Sequence, residues 1–455
     1  MEKERKQWRL SELDWKSEVI VFLLLMASAF FINRGIKIKG LFMDDLYMWS
    51  CYGEQTFREF VFPVGGTRCR FVFYLAAYLQ MALIGIKLNW FVPCNIIING
   101  LISYTVYRFG MRLSKNRILG FLCGFFYLLS RMAYYQIAQA CGLMETLALW
   151  FAIGVLYGVY RYLTEKEKPE RFFWLANGLY FGVCFVHERY MVLVALLLVA
   201  LALKGEKNWK RWLLPITLCV LVQVIRLIFI GTLSPAGTGG TDVADTFKFT
   251  DAIGQALNQV GLVFGRNSGP LHLCIEPFAD SPDRIKNLIL AAEAILGVGV
   301  LAAVIGMIRA RDEIVCHLKN AVLFLVFITL CIGSSSVTIR VEMRWVYVAY
   351  AAALLFFAYL SRVMGKAGIL VLLYGCLIFP VETYYRDNWD NLYLWAPQSQ
   401  YNSLAEKTYG TYGDDIFDKE IYIIGKDFEI SDFNAETFLK VYAKDKINIP
   451  KLQFI

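Results

Sequence analysis

The chain has 455 residues and a formal net charge of +8; 58% of its residues are hydrophobic and only 18% are charged. A soluble domain is typically about 45–50% apolar and about 25% charged, so the composition excludes a disordered chain, a collagen-like fibre, a small disulfide scaffold and a string of ordinary soluble domains. Read with a mean hydropathy of +0.49, the surplus of Lys and Arg is that of basic membrane-flanking loops, and no nucleic-acid motif accompanies it.

In chain order, residues 1–16 read as a cytoplasmic tail, too long and too mixed in charge for a signal peptide. A transmembrane domain follows over 17–381. Its apolar segments fall at 17–33, 90–107, 117–131, 143–160, 172–186, 190–203, 212–231, 287–308, 319–333, 345–360 and 367–381. That pattern predicts an all-α polytopic protein with about eleven spans. Lys and Arg gather at every second connection, around 108–117, 166–171, 204–211, 309–319 and 362–366, which places those connections and the N-terminus in the cytoplasm. Residues 71–88 are apolar enough to cross, but a crossing there would reverse every later basic cluster, so they are expected to lie in the outer interface. The outer face then carries a first loop at 34–70, the connections 132–142, 187–189 and 334–344, and a large loop at 232–286. The tail, 382–455, turns polar; IYIIG reads as a strand and AETFLKVYAKD as an amphipathic helix, predicting a small α/β extracytoplasmic appendage. The eleven cysteines form no CxxC pair, so a thiolate zinc site is not expected; Cys51 and Cys69 flank the first loop and suit a disulfide only if that loop faces an oxidising space.

Charges beside apolar runs are costly unless paired or wet, so they mark candidate sites. Four groups fall on the outer side. Asp44 and Asp45 in MDDLYMW are adjacent carboxylates, suited to a general base or to cation ligation, and equally to capping a helix N-terminus. Glu145 opens a span, where it also complements the helix dipole. His187, Glu188 and Arg189 occupy a tight turn as either an inward-facing site or a local ion pair. Arg340, Glu342 and Arg344 run against the charge rule, fitting either phosphate oxygens or lipid headgroups. Arg68 and Arg70 are similar exceptions, beside Gly65 and Gly66. There is no Walker A motif, GxSxG elbow or HExxH.

In order, MDDLYMW, the apolar FVFYLAAYLQMALIG, the second span and GLMETLALW resemble the GT-C superfamily of membrane glycosyltransferases over roughly residues 17–205. The pair here is Asp-Asp where Asp-Glu is commoner, the second acid is Glu, and the Lys often found before the interfacial helix is absent, with Arg68 or Arg70 in its place. The resemblance implies transfer of a monosaccharide from a polyprenyl-phosphate donor to an acceptor hydroxyl on a glycan, lipid or protein, at the outer face of the plasma membrane. It implies Asp44 as the base, with Asp45 and Glu145 positioning the acceptor or, with a divalent cation such as Mg2+ or Mn2+, the phosphate. Arg340, Arg344, Arg189, His187, Arg68 and Arg70 would bind the donor phosphate, and a direct displacement would invert the anomeric centre. The alternative is a lipid or polysaccharide flippase, whose pathway would reach both sides of the membrane.

Overall fold

The computed structural model describes residues 15–36, 44–85, 90–233, 241–270, 272–392, 395–418, 420–423 and 451–454. Helix α1 (Trp15–Ile32) is followed by two short helices, α2 (Asp44–Glu54) and α3 (Phe57–Val61), and by α4 (Phe71–Ile84). The hairpin of α5 (Phe91–Ser114) and α6 (Arg117–Leu129) turns at Lys115, whose backbone is left-handed, and at Asn116, whose side-chain oxygen accepts the Ile118 and Leu119 N–H groups. Its arms approach closely, because a Cβ on Gly120 would lie 2.7 Å from the Met111 backbone nitrogen. A 3-10 turn at Arg131–Ala133 and the short α7 (Tyr134–Ala138) lead into α8 (Gly142–Thr164). Then come α9 (Glu170–Cys184), α10 (Leu193–Lys204), α11 (Trp209–Ile230), α12 (Val243–Thr246), α13 (Phe249–Val263) and α14 (Asp283–Arg309). The chain continues as α15 (Ile314–Ser336), α16 (Met343–Val363), α17 (Ile369–Asp387) and α18 (Trp395–Tyr412). Two strands, β1 (Glu420–Ile423) and β2 (Lys451–Phe454), pair in parallel with Glu420 opposite Lys451.

The protein is an all-α polytopic membrane protein in its main body. Among the described residues seven helices are long and apolar enough to cross a bilayer: α1, α8, α11, α14, α15, α16 and α17. An eighth is reached if α6 and the segment Arg131–Ala138, bent by 53°, count as one span. A helix stands at each of the eleven apolar segments of the sequence, but α5, α9 and α10 are not among these seven, and α6 joins them only as part of the bent pair. α9 and α10 have only 15 and 12 residues. α5 is long enough, and carries Asn95, Asn99 and Ser103 on its buried face. Inside the bundle Asn95 donates to the carbonyls of Ile137 and Gln139, Ser103 donates to the Gly124 carbonyl, and Tyr127 donates to the Asn99 side-chain oxygen. α4 has 14 residues, about 21 Å at 1.5 Å per residue, short of a hydrocarbon core of about 30 Å.

The core lies along α8 and α16, whose apolar windows are 72% and 67% buried, while those of α1, α11, α14 and α17 are only 17% buried. The outer four therefore present leucine, valine and phenylalanine to their surroundings, a surface suited to lipid. The expected loop at 132–142 is instead interior: every residue from 127 to 146 is buried. A buried polar knot holds the bend there. Arg131 pairs with Glu382 at 2.6 Å, Glu382 also accepts the Arg131 N–H, and Arg386 donates to the Ser130 carbonyl and to Asn33. The expected first loop at 34–70 contains α2 and α3, and the large loop at 232–286 contains α12 and α13. β1 falls on the IYIIG strand; the helix expected at AETFLKVYAKD lies outside the described residues.

Candidate functional site

Five separate stretches of chain meet at one end of the bundle. The N-terminus of α4 docks on the end of α9 through the Val72 and Phe73 N–H groups, which both donate to the Phe185 carbonyl. That docking brings Arg70 beside Glu188, in the 3-10 turn Glu188–Val192 that follows α9. Arg70 grips Glu188 with two hydrogen bonds of 2.8 Å, and Arg68 adds a third at 3.2 Å. Burial pushes the Glu188 carboxyl up, and Arg70 and Arg68 more than reverse it, holding it well below the usual range.

Arg189, one residue on, reaches the first turn of α8 and binds both oxygens of Glu145 at 2.6 and 2.5 Å, with its guanidinium 4.8 Å from the Trp345 ring. His187 sits between the two pairs, 3.8 Å from Glu145 and 3.7 Å from Glu188. Burial, then Arg189 and Arg70, lower its pKa well below the ordinary value, so the imidazole is neutral. The third cluster spans the start of α16 and the segment ahead of it: Arg340 and Arg344 flank Glu342 at 3.2 and 2.7 Å. Glu342 is buried and extended at the helix N-cap.

These groups line one cavity of about 820 Å3, together with Asp44 at the start of α2. Of the residues singled out in the sequence, Asp44, Glu145, His187, Arg189, Arg68, Arg70, Arg340 and Arg344 all face it. Asp44 is exposed and, among the described residues, has no ion-pair partner. Glu188 and Glu342 carry the arginine clusters, a part that the sequence expectation gave only to the cations. Their signal is visible afterwards: Arg340, Glu342 and Arg344 alternate with period two, which puts all three on one side of an extended segment.

Asp45 departs from expectation. It is buried and faces away from the cavity lining, accepting the Ala140 and Cys141 N–H groups at 3.0 and 2.6 Å. Its carboxylate therefore caps the N-terminal end of α8 from another helix, the capping reading displaced from its own helix to a distant one. Burial pushes its carboxyl up to about 6, against the pull of those two amides. A divalent cation held by Asp45 and Glu145 does not fit either: both Asp45 oxygens serve amides, and both Glu145 oxygens serve Arg189. Among the described residues no three His, Cys, Asp or Glu side chains converge as a metal site. Cys51 and Cys69 are free thiols.

A second cavity, of about 500 Å3, lies between α6, α16 and α17; Leu354, Phe357 and Phe379 help to line it, and no carboxylate or guanidinium does. It shares no residue with the first. No protein-family model matches the chain, and no curated protein matches it in sequence.

Proposed function

We propose that the protein is a membrane glycosyltransferase of GT-C type, moving a monosaccharide from a polyprenyl-phosphate donor to an acceptor hydroxyl at the cavity of Asp44. The observation that carries the reading is the composition of that one cavity: Asp44, a carboxylate with no ion-pair partner among the described residues, faces five arginines. Acceptor activation needs a base on one side of the anomeric carbon, and a departing phosphate needs positive charge on the other. Asp44 takes the acceptor proton. Arg68, Arg70, Arg340 and Arg344 face the phosphate, Arg189 and His187 shape the wall between them, and the displacement inverts the anomeric centre.

Sidedness supports the reading. The basic connections 166–171, 204–211, 309–319 and 362–366 lie at the far ends of α8, α10, α15 and α16, whose other ends form or adjoin the cavity. By the positive-inside rule the cavity then opens outside the cytoplasm, the N-terminus lies within it, and α5, α9 and α10 cross as well, giving about eleven spans. In this arrangement α4 rests in the outer interface and the C-terminal segment forms an extracytoplasmic appendage in a plasma membrane.

The test is turnover of defined polyprenyl-phosphate sugars by the purified protein. Asp44→Asn should lower the rate by about 10²-fold or more, the range of a lost general base. Near-parental turnover would remove Asp44 from that part, and lipid movement without glycosyl transfer would replace the reading with a flippase.

A further inference from the structure

The charge of the cavity wall points to a second task for Asp44. Resting on the reading above, the clusters can be counted. Glu188 is shared by Arg68 and Arg70, Glu342 by Arg340 and Arg344, and Glu145 is matched by Arg189. His187 is neutral. Among the described residues the wall thus carries two surplus positive charges before Asp44 is counted and one with its carboxylate ionised. A lipid-linked sugar monophosphate is a phosphodiester with one negative charge, so donor and wall balance.

Transfer changes both partners together. The acceptor oxygen bonds to the anomeric carbon, the bond from that carbon to the phosphate oxygen breaks, and its electron pair stays on the phosphate. The acceptor proton moves to Asp44. The product is a phosphate monoester, which carries about −1.5 to −2 charge at neutral pH. With Asp44 protonated, the wall offers two positive charges to match it. The match fails once Asp44 gives its proton to water, because the dianion then faces only one.

We propose that Asp44 is also the release group: its recovered carboxylate charge repels the lipid phosphate product and returns the cavity to one that prefers the monoanionic donor. The scale is right for such an effect. A volume of about 820 Å3 has an edge of about 9 Å, comparable with the screening length of about 8 Å at physiological salt and about 10 Å at 0.1 M.

The experiment is equilibrium binding, which needs no turnover. Two lipids are compared at pH 8: decaprenyl phosphate, a dianion, and its methyl ester, a monoanion. Each is titrated into the purified full chain, parent and Asp44→Asn, with tryptophan fluorescence as readout, since Trp345 stands in the wall. Asp44→Asn should tighten decaprenyl phosphate about tenfold or more and the methyl ester at least threefold less than that. Asp44→Glu, which keeps the charge, should bind both lipids as the parent does. Equal gains for the two lipids, or no gain for the phosphate, would overturn the release role. If neither lipid binds parent or variant, the glycosyltransferase reading fails instead.

Discussion

At the cavity end of the bundle, Glu145, Glu188 and Glu342 are buried, and five arginines share them. At the opposite end, Glu18 accepts from Tyr104, Tyr107 and Arg108, Glu165 pairs with Arg161, and Glu206 pairs with Arg211 and Tyr162. There the arginines also lie on aromatic faces: Arg161 and Arg171 flank Phe172 at 4.3 and 4.6 Å. The residue types are alike, but the accounting differs. One end shares its charges as well, Glu165 between Arg161 and Arg171 and Arg211 between Glu170 and Glu206, but leaves most of them partly exposed, as charges at a membrane boundary do. The other takes its acids out of water and gives two of them a pair of guanidiniums each, an arrangement that favours an anionic guest. The lesson is that arginine number separates the ends poorly, whereas three buried acids converging with arginines on one cavity separate them well.

Breaking the cavity end should cost most. Glu188→Ala strands two guanidiniums in a buried wall, and losing one partner of a buried pair costs about 3–5 kcal/mol. The variant is expected to lose most of its folded yield, seen by size-exclusion chromatography and thermal unfolding in detergent. Gly142→Ala comes next. Its Cβ would fall 2.2 Å from the Tyr135 carbonyl oxygen, a backbone clash that must displace the start of α8, at about 1–3 kcal/mol for overpacking. The same measurement should show a lower unfolding temperature, with weaker lipid-phosphate binding because Glu145 moves with the helix.

The Asp45 cap predicts a pH signature. Its folded pKa, about 6, lies above the ordinary value of 3.8, so the folded state holds the proton more tightly. Its contribution to stability is full below about pH 4 and is lost as pH rises through about 6. Asp45→Asn should remove that slope from unfolding temperatures measured between pH 4 and pH 7; an unchanged slope would assign it to another group. Arg340→Gln is milder still. Arg340 is partly exposed, so stability should change by less than about 1 kcal/mol, while affinity for decaprenyl phosphate should fall about tenfold. At the basic end, Arg171→Ala removes an exposed cation and should leave stability within about 0.5 kcal/mol and lipid-phosphate binding unchanged. A large loss of binding there would erase the contrast between the ends.

Membrane character, the position of each long helix and the list of outlying charges were legible in the residues alone, because hydrophobic runs and expensive charges are local properties of the chain. Asp44, Glu145 and the arginines could each be picked out for that reason. Their partners could not. Whether Arg189 binds Glu145 or Glu188, one residue away, depends on how the turn after α9 meets α8, across 44 positions of sequence. Asp45 shows the limit most clearly. Its neighbour Asp44 faces the cavity, while Asp45 holds amides 95 and 96 residues further on, since adjacent side chains on a helix point about 100° apart. The connection 132–142 reads as an outer loop, yet lies inside the buried stretch 127–146, for a related reason. Its tyrosines, Ser130 and Arg131 look like surface residues, and only the packing of α17, with Glu382 and Arg386, gives them an interior. Chain chemistry fixed which residues are costly; the tertiary arrangement decided which of them share that cost, because ion pairs and caps are contacts between elements rather than properties of any one of them.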